Sequence, residues 1–117
     1  MNIKLLNKNF KLKHSVDLPT SKSMSNRLLV LQYLLKHSFD IVDLSSADDT
    51  QILKKITDKN FHCSLVDVKN AGTCFRFLTA LFAMQPGEVI LTGSDAMKNR
   101  PIMELVTALK TFGADIQ

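Results

Sequence analysis

Basic residues stand where an α-helix ordinarily carries acids. Ser21-Lys22-Ser23 opens one apolar-periodic stretch and is followed by Asn26 and Arg27. Asn70-Ala71-Gly72-Thr73 opens another and is followed by Arg76, while Arg100 directly precedes Pro101 at the head of a third. A helix N-terminus presents unpaired N–H groups and about half a positive elementary charge. Lys or Arg there does nothing for capping. It becomes useful when a ligand supplies the missing negative charge. Gly72 would let such a ligand approach the backbone, and Ser23 and Thr73 would donate hydroxyls. Taken singly, each start reads as a solvated charge, a plain cap or a common turn. Three together leave an anion site standing against three ordinary helix starts.

Other candidate chemistry is thinner. His14, His37 and His62 have no partner at a metal-ligand spacing and read as core or surface histidines. Asp48-Asp49 is an acid pair that the first turn of a helix already explains. Cys74 follows Thr73 at a helix start that would lower its pKa, but its neighbour Phe75 and the apolar face favour a structural thiol. Cys63 and Cys74 lack CxxC spacing and read as reduced core thiols of a cytoplasmic protein. No GxGxxG, GxxxxGK[ST] or HExxH pattern occurs, so neither a metal nor a cofactor is expected.

The elements that must position these residues follow from periodicity. The chain has 117 residues, the size of one ordinary domain. It is 45% apolar and 22% charged, which excludes a disordered or low-complexity chain. Fifteen Lys and Arg against eleven Asp and Glu give a net charge of +4, which suits anionic partners. The longest apolar run, Leu28 to Leu35, is broken by Gln32 and is too short for a bilayer, and the N-terminus carries no secretory apolar stretch.

Ile3–Leu6 and Phe10–Leu18 alternate and are predicted strands, ended by Pro19. A mostly buried helix is predicted from about Lys22 to His37, with Met24, Leu28, Leu31 and Leu35 on one face, widened by Leu29, Val30 and Leu34. Asp40–Leu44 reads as a short strand. Ser46 to Asp49 has capping-box spacing before a stripe of Ile52, Leu53 and Ile56. Phe61–Val68 reads as a strand, and Phe75, Leu78, Leu81 and Phe82 form the next helical face. Val89–Thr92 is a strand. Pro101 fits the first turn of a final helix with stripe Ile102, Leu105, Val106 and Leu109 and its stop at Gly113. The predicted order is β, β, α, β, α, β, α, β, α, with a last strand starting at Asp115, which is an α/β arrangement of helices on a sheet. A chain stopping where a strand begins is expected to be truncated.

At these residues a family resemblance appears. Leu18-Pro19-Thr20-Ser21-Lys22-Ser23-Met24-Ser25-Asn26-Arg27 is similar to the LPGSKSxSNR motif of the 5-enolpyruvylshikimate-3-phosphate synthases, the 3-phosphoshikimate 1-carboxyvinyltransferases. Ser46-Ala47-Asp48-Asp49-Thr50 resembles their SDDT segment. Asn70-Ala71-Gly72-Thr73-Cys74-Phe75-Arg76-Phe77-Leu78-Thr79-Ala80 resembles NAGTxxRxLTA. Leu91 to Ile102 resembles LTGxxxMxxRPI, and Gly113-Ala114-Asp115-Ile116 also fits. The motifs occur in family order and span nearly the whole chain. The related enzymes acting on UDP-N-acetylglucosamine share the fold but not SKSxSNR.

The resemblance implies a transferase of the shikimate pathway, which serves chorismate and aromatic amino-acid biosynthesis. The family joins shikimate 3-phosphate to phosphoenolpyruvate. The 5-hydroxyl attacks C2 of a protonated phosphoenolpyruvate, and the tetrahedral intermediate loses phosphate. Carried over by motif position, Lys22, Ser23 and Arg27 hold shikimate 3-phosphate, and Lys22, Gly72 and Arg100 hold phosphoenolpyruvate. Asn70, Thr73 and Arg76 support the site. The implied fold is that of the enolpyruvyl transferases, two hinged domains of βαβαββ units. Residues 1–17 would belong to the domain completed by the C-terminal half, and residues 18–117 would form part of the substrate-binding domain. The chain is then an N-terminal fragment that self-associates and is inactive alone, since the family's proton-transfer residues lie later in its sequence. The whole enzyme would be a cytoplasmic monomer without cofactors. Thr20 replaces the family's glycine in LPGSKS, and Lys69 stands where glycine is common before NAGT. A non-catalytic anion-binding module is the alternative. A nucleic-acid-binding domain ranks last, with aromatics at 7% and no recognition motif.

Overall fold

The computed structural model describes residues 3, 4, 6 and 15–117. Its elements, in order, are α1 (Lys22–Leu34), α2 (Asp48–Ile56), β1 (Leu65–Asp67), α3 (Gly72–Ala83), β2 (Ile90–Thr92), α4 (Asp95–Lys98) and α5 (Met103–Thr111). Strands β1 and β2 pair in parallel, with Leu65, Val66 and Asp67 opposite Ile90, Leu91 and Thr92. Parallel strands cannot be joined by a tight turn, and α3 supplies the crossover. The pairing extends past the strand ends, where Val68 N–H donates to Thr92 O at 3.0 Å and Ser94 N–H to Lys69 O at 3.0 Å. The architecture is α/β, and its βαβ unit places the starts of α3 and α4 together beyond the C-terminal ends of the two strands.

The core joins Leu29 of α1, Leu53 and Ile56 of α2, Val66 and Val68 around β1, and Ala71, Cys74, Leu78 and Leu81 along α3. Helix α5 packs on α3, with Val106 turned inward. The stripes predicted for α2 and α3 are therefore the faces that meet. On α1 the expectation fails. Met24, Leu31 and Leu35 are about half exposed, and the buried residues are Ser25, Asn26 and Leu29. The helix turns a partly polar face to α2, so its apolar positions are not the ones it buries.

Element ends differ from expectation for identifiable reasons. Helix α1 stops at Leu34 because Lys36 and His37 take left-handed φ values of 53° and 56°. Lys36 N–H then donates to Tyr33 O and His37 N–H to Gln32 O, closing the helix in the manner usually left to glycine. Gly113 does close α5 as predicted: φ is 93°, and the N–H groups of Gly113 and Ala114 donate to Lys110 O and Leu109 O. Pro101 lies before the N-cap Ile102, not in the first turn of α5. Helix α2 begins after Ala47 with no side-chain cap, so Ser46 forms no capping box; Asp48 and Asp49 instead complement the positive end of the dipole. Asp40–Leu44 is not a strand. Asp43 has φ of 56° and Val42 is exposed, so the α1–α2 connection runs over the surface without a pairing partner among the described residues.

Of the predicted strands near the N-terminus, Leu5 and residues 10–14, His14 among them, lie outside the described residues; Ile3, Lys4, Leu6 and 15–18 carry no strand. Asp115 starts none either. Cys63 is exposed, so only Cys74 is a core thiol. The short α4, capped by the Ser94 hydroxyl accepting from Met97 N–H, was not anticipated.

Candidate active site

Helix α3 starts without a side-chain cap and without an acid in its first turn. What lies over that start is positive charge. The Nη1 of Arg100 stands 2.6 Å from where a Cβ on residue 72 would be, and Nη1 of Arg76 stands 3.7 Å from the same point. Arg76 reaches across from α3 and donates from Nη2 to Pro101 O at 2.9 Å, tying α3 to the segment that carries Arg100. A depression of about 50 Å³ opens there, lined by Gly72, Phe75, Arg76, Met97, Lys98, Arg100, Pro101 and Ile102. Three of its residues are cationic and none is acidic. Among the described residues, neither arginine has a carboxylate partner. This arrangement can hold an anion between a helix N-terminus and two guanidinium groups.

The start of α1 forms a second cluster. The Ser21 hydroxyl caps it, accepting from Met24 N–H at 3.3 Å. Arg27 donates from Nη1 to Ser23 Oγ one turn away. The half-exposed Lys22 ammonium pairs with Asp49 Oδ2 at 3.2 Å. Asp49 connects the two clusters, because its main-chain oxygen accepts from Cys74 Sγ at 3.0 Å in the first turn of α3. The expected site residues are thus distributed as follows. Gly72, Arg76 and Arg100 share the depression. Lys22, Ser23 and Arg27 stand at the α1 start and do not line it. Asn70 and Thr73 flank Gly72 on the exposed side, with Asn70 Oδ1 accepting from the Ser94 hydroxyl.

Cys74 has no reactive character. Burial pushes its thiol up to about 11, and the Asp49 charge pushes the same way. Of the loop before Gly72, Lys69 takes a left-handed φ of 55°, and its Nζ lies 3.2 Å from Asp67 Oδ2. The Lys69 N–H and ammonium both bind the Asp67 carboxylate, holding its pKa below the ordinary value.

Three structural supports escaped the sequence reading. Gly93 must lack a Cβ, which would fall 2.7 Å from Lys69 O and 2.8 Å from Met97 Cγ. Its place in the LTG pattern was the available signal. Asn26 and Thr50 are fully buried and bonded to each other. They are polar residues at helical positions that periodicity assigns no role.

Together the fold and site define an α/β chain in which Arg76 and Arg100 gather over the start of α3, beyond the C-terminal ends of a parallel strand pair. Residues 54–117 match the family described as EPSP synthase (3-phosphoshikimate 1-carboxyvinyltransferase). The chain is 41% identical over 114 residues to a 3-phosphoshikimate 1-carboxyvinyltransferase of Bacteroides fragilis, covering 97% of this chain and 27% of that protein. Proteins of the same name from Aliivibrio fischeri and Buchnera aphidicola are 33% and 32% identical, over 92% and 87% of this chain. No solved structure matches. The chain belongs to the EPSP synthase family and has the α/β character of the enolpyruvyl transferase fold. It spans about a quarter of the length of the curated relatives it matches. Among the described residues, no helix is long and apolar enough to cross a membrane.

Proposed function

We propose that this chain supplies one wall of the active site of a 3-phosphoshikimate 1-carboxyvinyltransferase, an enzyme that transfers the enolpyruvyl group of phosphoenolpyruvate to the 5-hydroxyl of shikimate 3-phosphate and releases phosphate. The observation that carries this reading is the pair of guanidinium groups over the uncapped, acid-free start of α3 at Gly72. Phosphoenolpyruvate brings a phosphate and a carboxylate, and both need charged donors in one place. On this reading Gly72 and Arg100 take phosphoenolpyruvate, and Arg76 holds the wall in register through Pro101. Lys22, Ser23 and Arg27 take the phosphate of shikimate 3-phosphate, with Lys22 shared between the substrates. Asn70 and Thr73 shape the loop beside Gly72.

The same reading gives the domains. Residues 18–117 form part of the substrate-binding domain in a βαβαββ unit, and residues 1–17 belong with a second domain. The cations position and stabilise anionic oxygens, while proton transfer falls to residues outside this chain. The whole enzyme is a cytoplasmic monomer.

Phosphate release, with both substrates supplied to the whole enzyme carrying this sequence, tests the proposal. Turnover that Lys22→Met and Arg100→Ala each nearly abolish supports it. Substrate binding without turnover would favour a non-catalytic anion-binding module.

A further inference from the structure

Helix α1 buries three residues against its neighbours, and two of them, Ser25 and Asn26, are polar. Asn26 and Thr50 are each 0% exposed, and the Thr50 hydroxyl donates to Asn26 Oδ1 at 2.8 Å. Ser25 Oγ accepts from Ser45 N–H at 3.0 Å in the segment entering α2. Asn26 Nδ2 has no partner at all among the described residues. An apolar pair at these two positions would leave no unpaired donor. The polar pair is therefore poorly explained as a source of stability. What directional bonds provide, and an apolar contact does not, is a single allowed placement of one helix on another. The two polar positions flank the anion-directed residues. Arg27 follows Asn26, Lys22 lies one turn before it, and Asp49, the partner of Lys22, precedes Thr50.

We propose that Asn26 and Thr50 are positioning residues: their buried hydrogen bond fixes α1 on α2 and so sets where Lys22 and Arg27 meet the substrate's anionic groups. The inference rests on the functional reading above. A helix advances about 1.5 Å per residue, so even a partial slip moves Lys22 by a distance that matters to catalysis. Neither residue touches substrate; both act through Lys22 and Arg27.

The test uses the whole enzyme carrying this sequence, assayed well below its melting temperature with each substrate varied. Thr50→Val keeps the shape and removes the hydroxyl. It is expected to raise KM for shikimate 3-phosphate roughly tenfold and to lower kcat, whereas Thr50→Ser, which retains the hydroxyl, is expected to stay within about threefold of wild type. In a Lys22→Met background, read by binding of shikimate 3-phosphate because turnover is nearly gone, Thr50→Val should cost less than it does in the wild-type background, since the share of its effect that passes through Lys22 is already lost. If Thr50→Val does not fold, Ser25→Ala removes only the companion bond and should raise KM in the same direction. A folded Thr50→Val enzyme with a lowered melting temperature but wild-type KM and kcat overturns the inference and leaves the functional reading intact. A Lys22→Met enzyme with wild-type kinetics overturns both.

Discussion

The guanidinium of Arg100 occupies the space a side chain on residue 72 would need. Its Nη1 lies 2.6 Å from the position of a Cβ there, inside any allowed contact. The two residues are 28 apart in sequence and are brought together by the β1–α3–β2 crossover and the turn through α4. The glycine is required less by its backbone angles than by what stands over it.

This relationship predicts how Gly72→Ala fails. The obstructing atom is the far end of a flexible side chain, so the fold should survive with less than about 1 kcal/mol lost. The cost appears instead as a displaced Arg100. In the whole enzyme, KM for phosphoenolpyruvate should rise about tenfold or more, corresponding to loss of one charge-assisted contact, while KM for shikimate 3-phosphate changes little. Steady-state kinetics with each substrate varied would decide it. Equal losses for both substrates would contradict the assignment of Gly72 and Arg100 to phosphoenolpyruvate.

Lys69 offers a prediction about stability alone. A residue with a Cβ held at φ of 55° costs about 1–2 kcal/mol, a penalty glycine avoids. The ion pair with Asp67 is exposed and screened by solvent, so it returns little of that cost. Lys69→Gly should therefore move the urea midpoint slightly upward, with an unfolding free energy raised by no more than about 1 kcal/mol once glycine's greater freedom in the unfolded chain is counted. A lower midpoint would show that the Lys69 side chain does more than the structure indicates.

The parts legible in sequence were those set by strong local signals. The apolar faces of α2 and α3 and the Gly113 stop all follow from periodicity or from a residue with one conformational role. Convergence of Gly72, Arg76 and Arg100 is long-range, and charge placement at helix starts only hinted at it. The burial of α1 was misread because Asn26 and Ser25 face α2 while leucines of higher hydropathy point outward. No single-helix pattern reveals which polar residues have a partner waiting across a contact. The end of α1 was misread for a similar reason, since Lys36 and His37 adopt a glycine-like turn without being glycine.

The two cysteines should separate cleanly in chemistry. Cys63 is exposed, and Cys74 is buried with its thiol bonded to Asp49 O. Iodoacetamide at pH 8 should label Cys63 quickly and Cys74 only on unfolding. Because burial raises the folded thiol to about 11, the native state holds the Cys74 proton more tightly than the unfolded chain does. That contribution is complete below the ordinary value of 9.0 and is lost as pH rises towards about 11. Denaturant midpoints measured from pH 8 to 11 should fall, and fall less in Cys74→Ala. Equal labelling of both cysteines in the folded chain would refute the buried thiol.

The last prediction is that these 117 residues alone release no phosphate from phosphoenolpyruvate. The depression at Gly72 has cations to hold an anion but no acid among its lining residues to move a proton. General acid–base catalysis ordinarily contributes a factor of about 10² to 10⁴, which positioning does not replace. The nearest carboxylate in the α1 cluster, Asp49, is engaged with Lys22. Among the described residues the sheet has two strands, and the paired residues Leu65 and Ile90 are each 56% exposed, an apolar surface larger chains would cover. The chain should therefore bind shikimate 3-phosphate weakly at best and self-associate in sedimentation experiments. Joined to the portion of a curated relative that lies beyond the match, it should gain turnover that Lys22→Met removes. Phosphate release by the 117-residue chain above a Lys22→Met control would show that its own residues complete the chemistry.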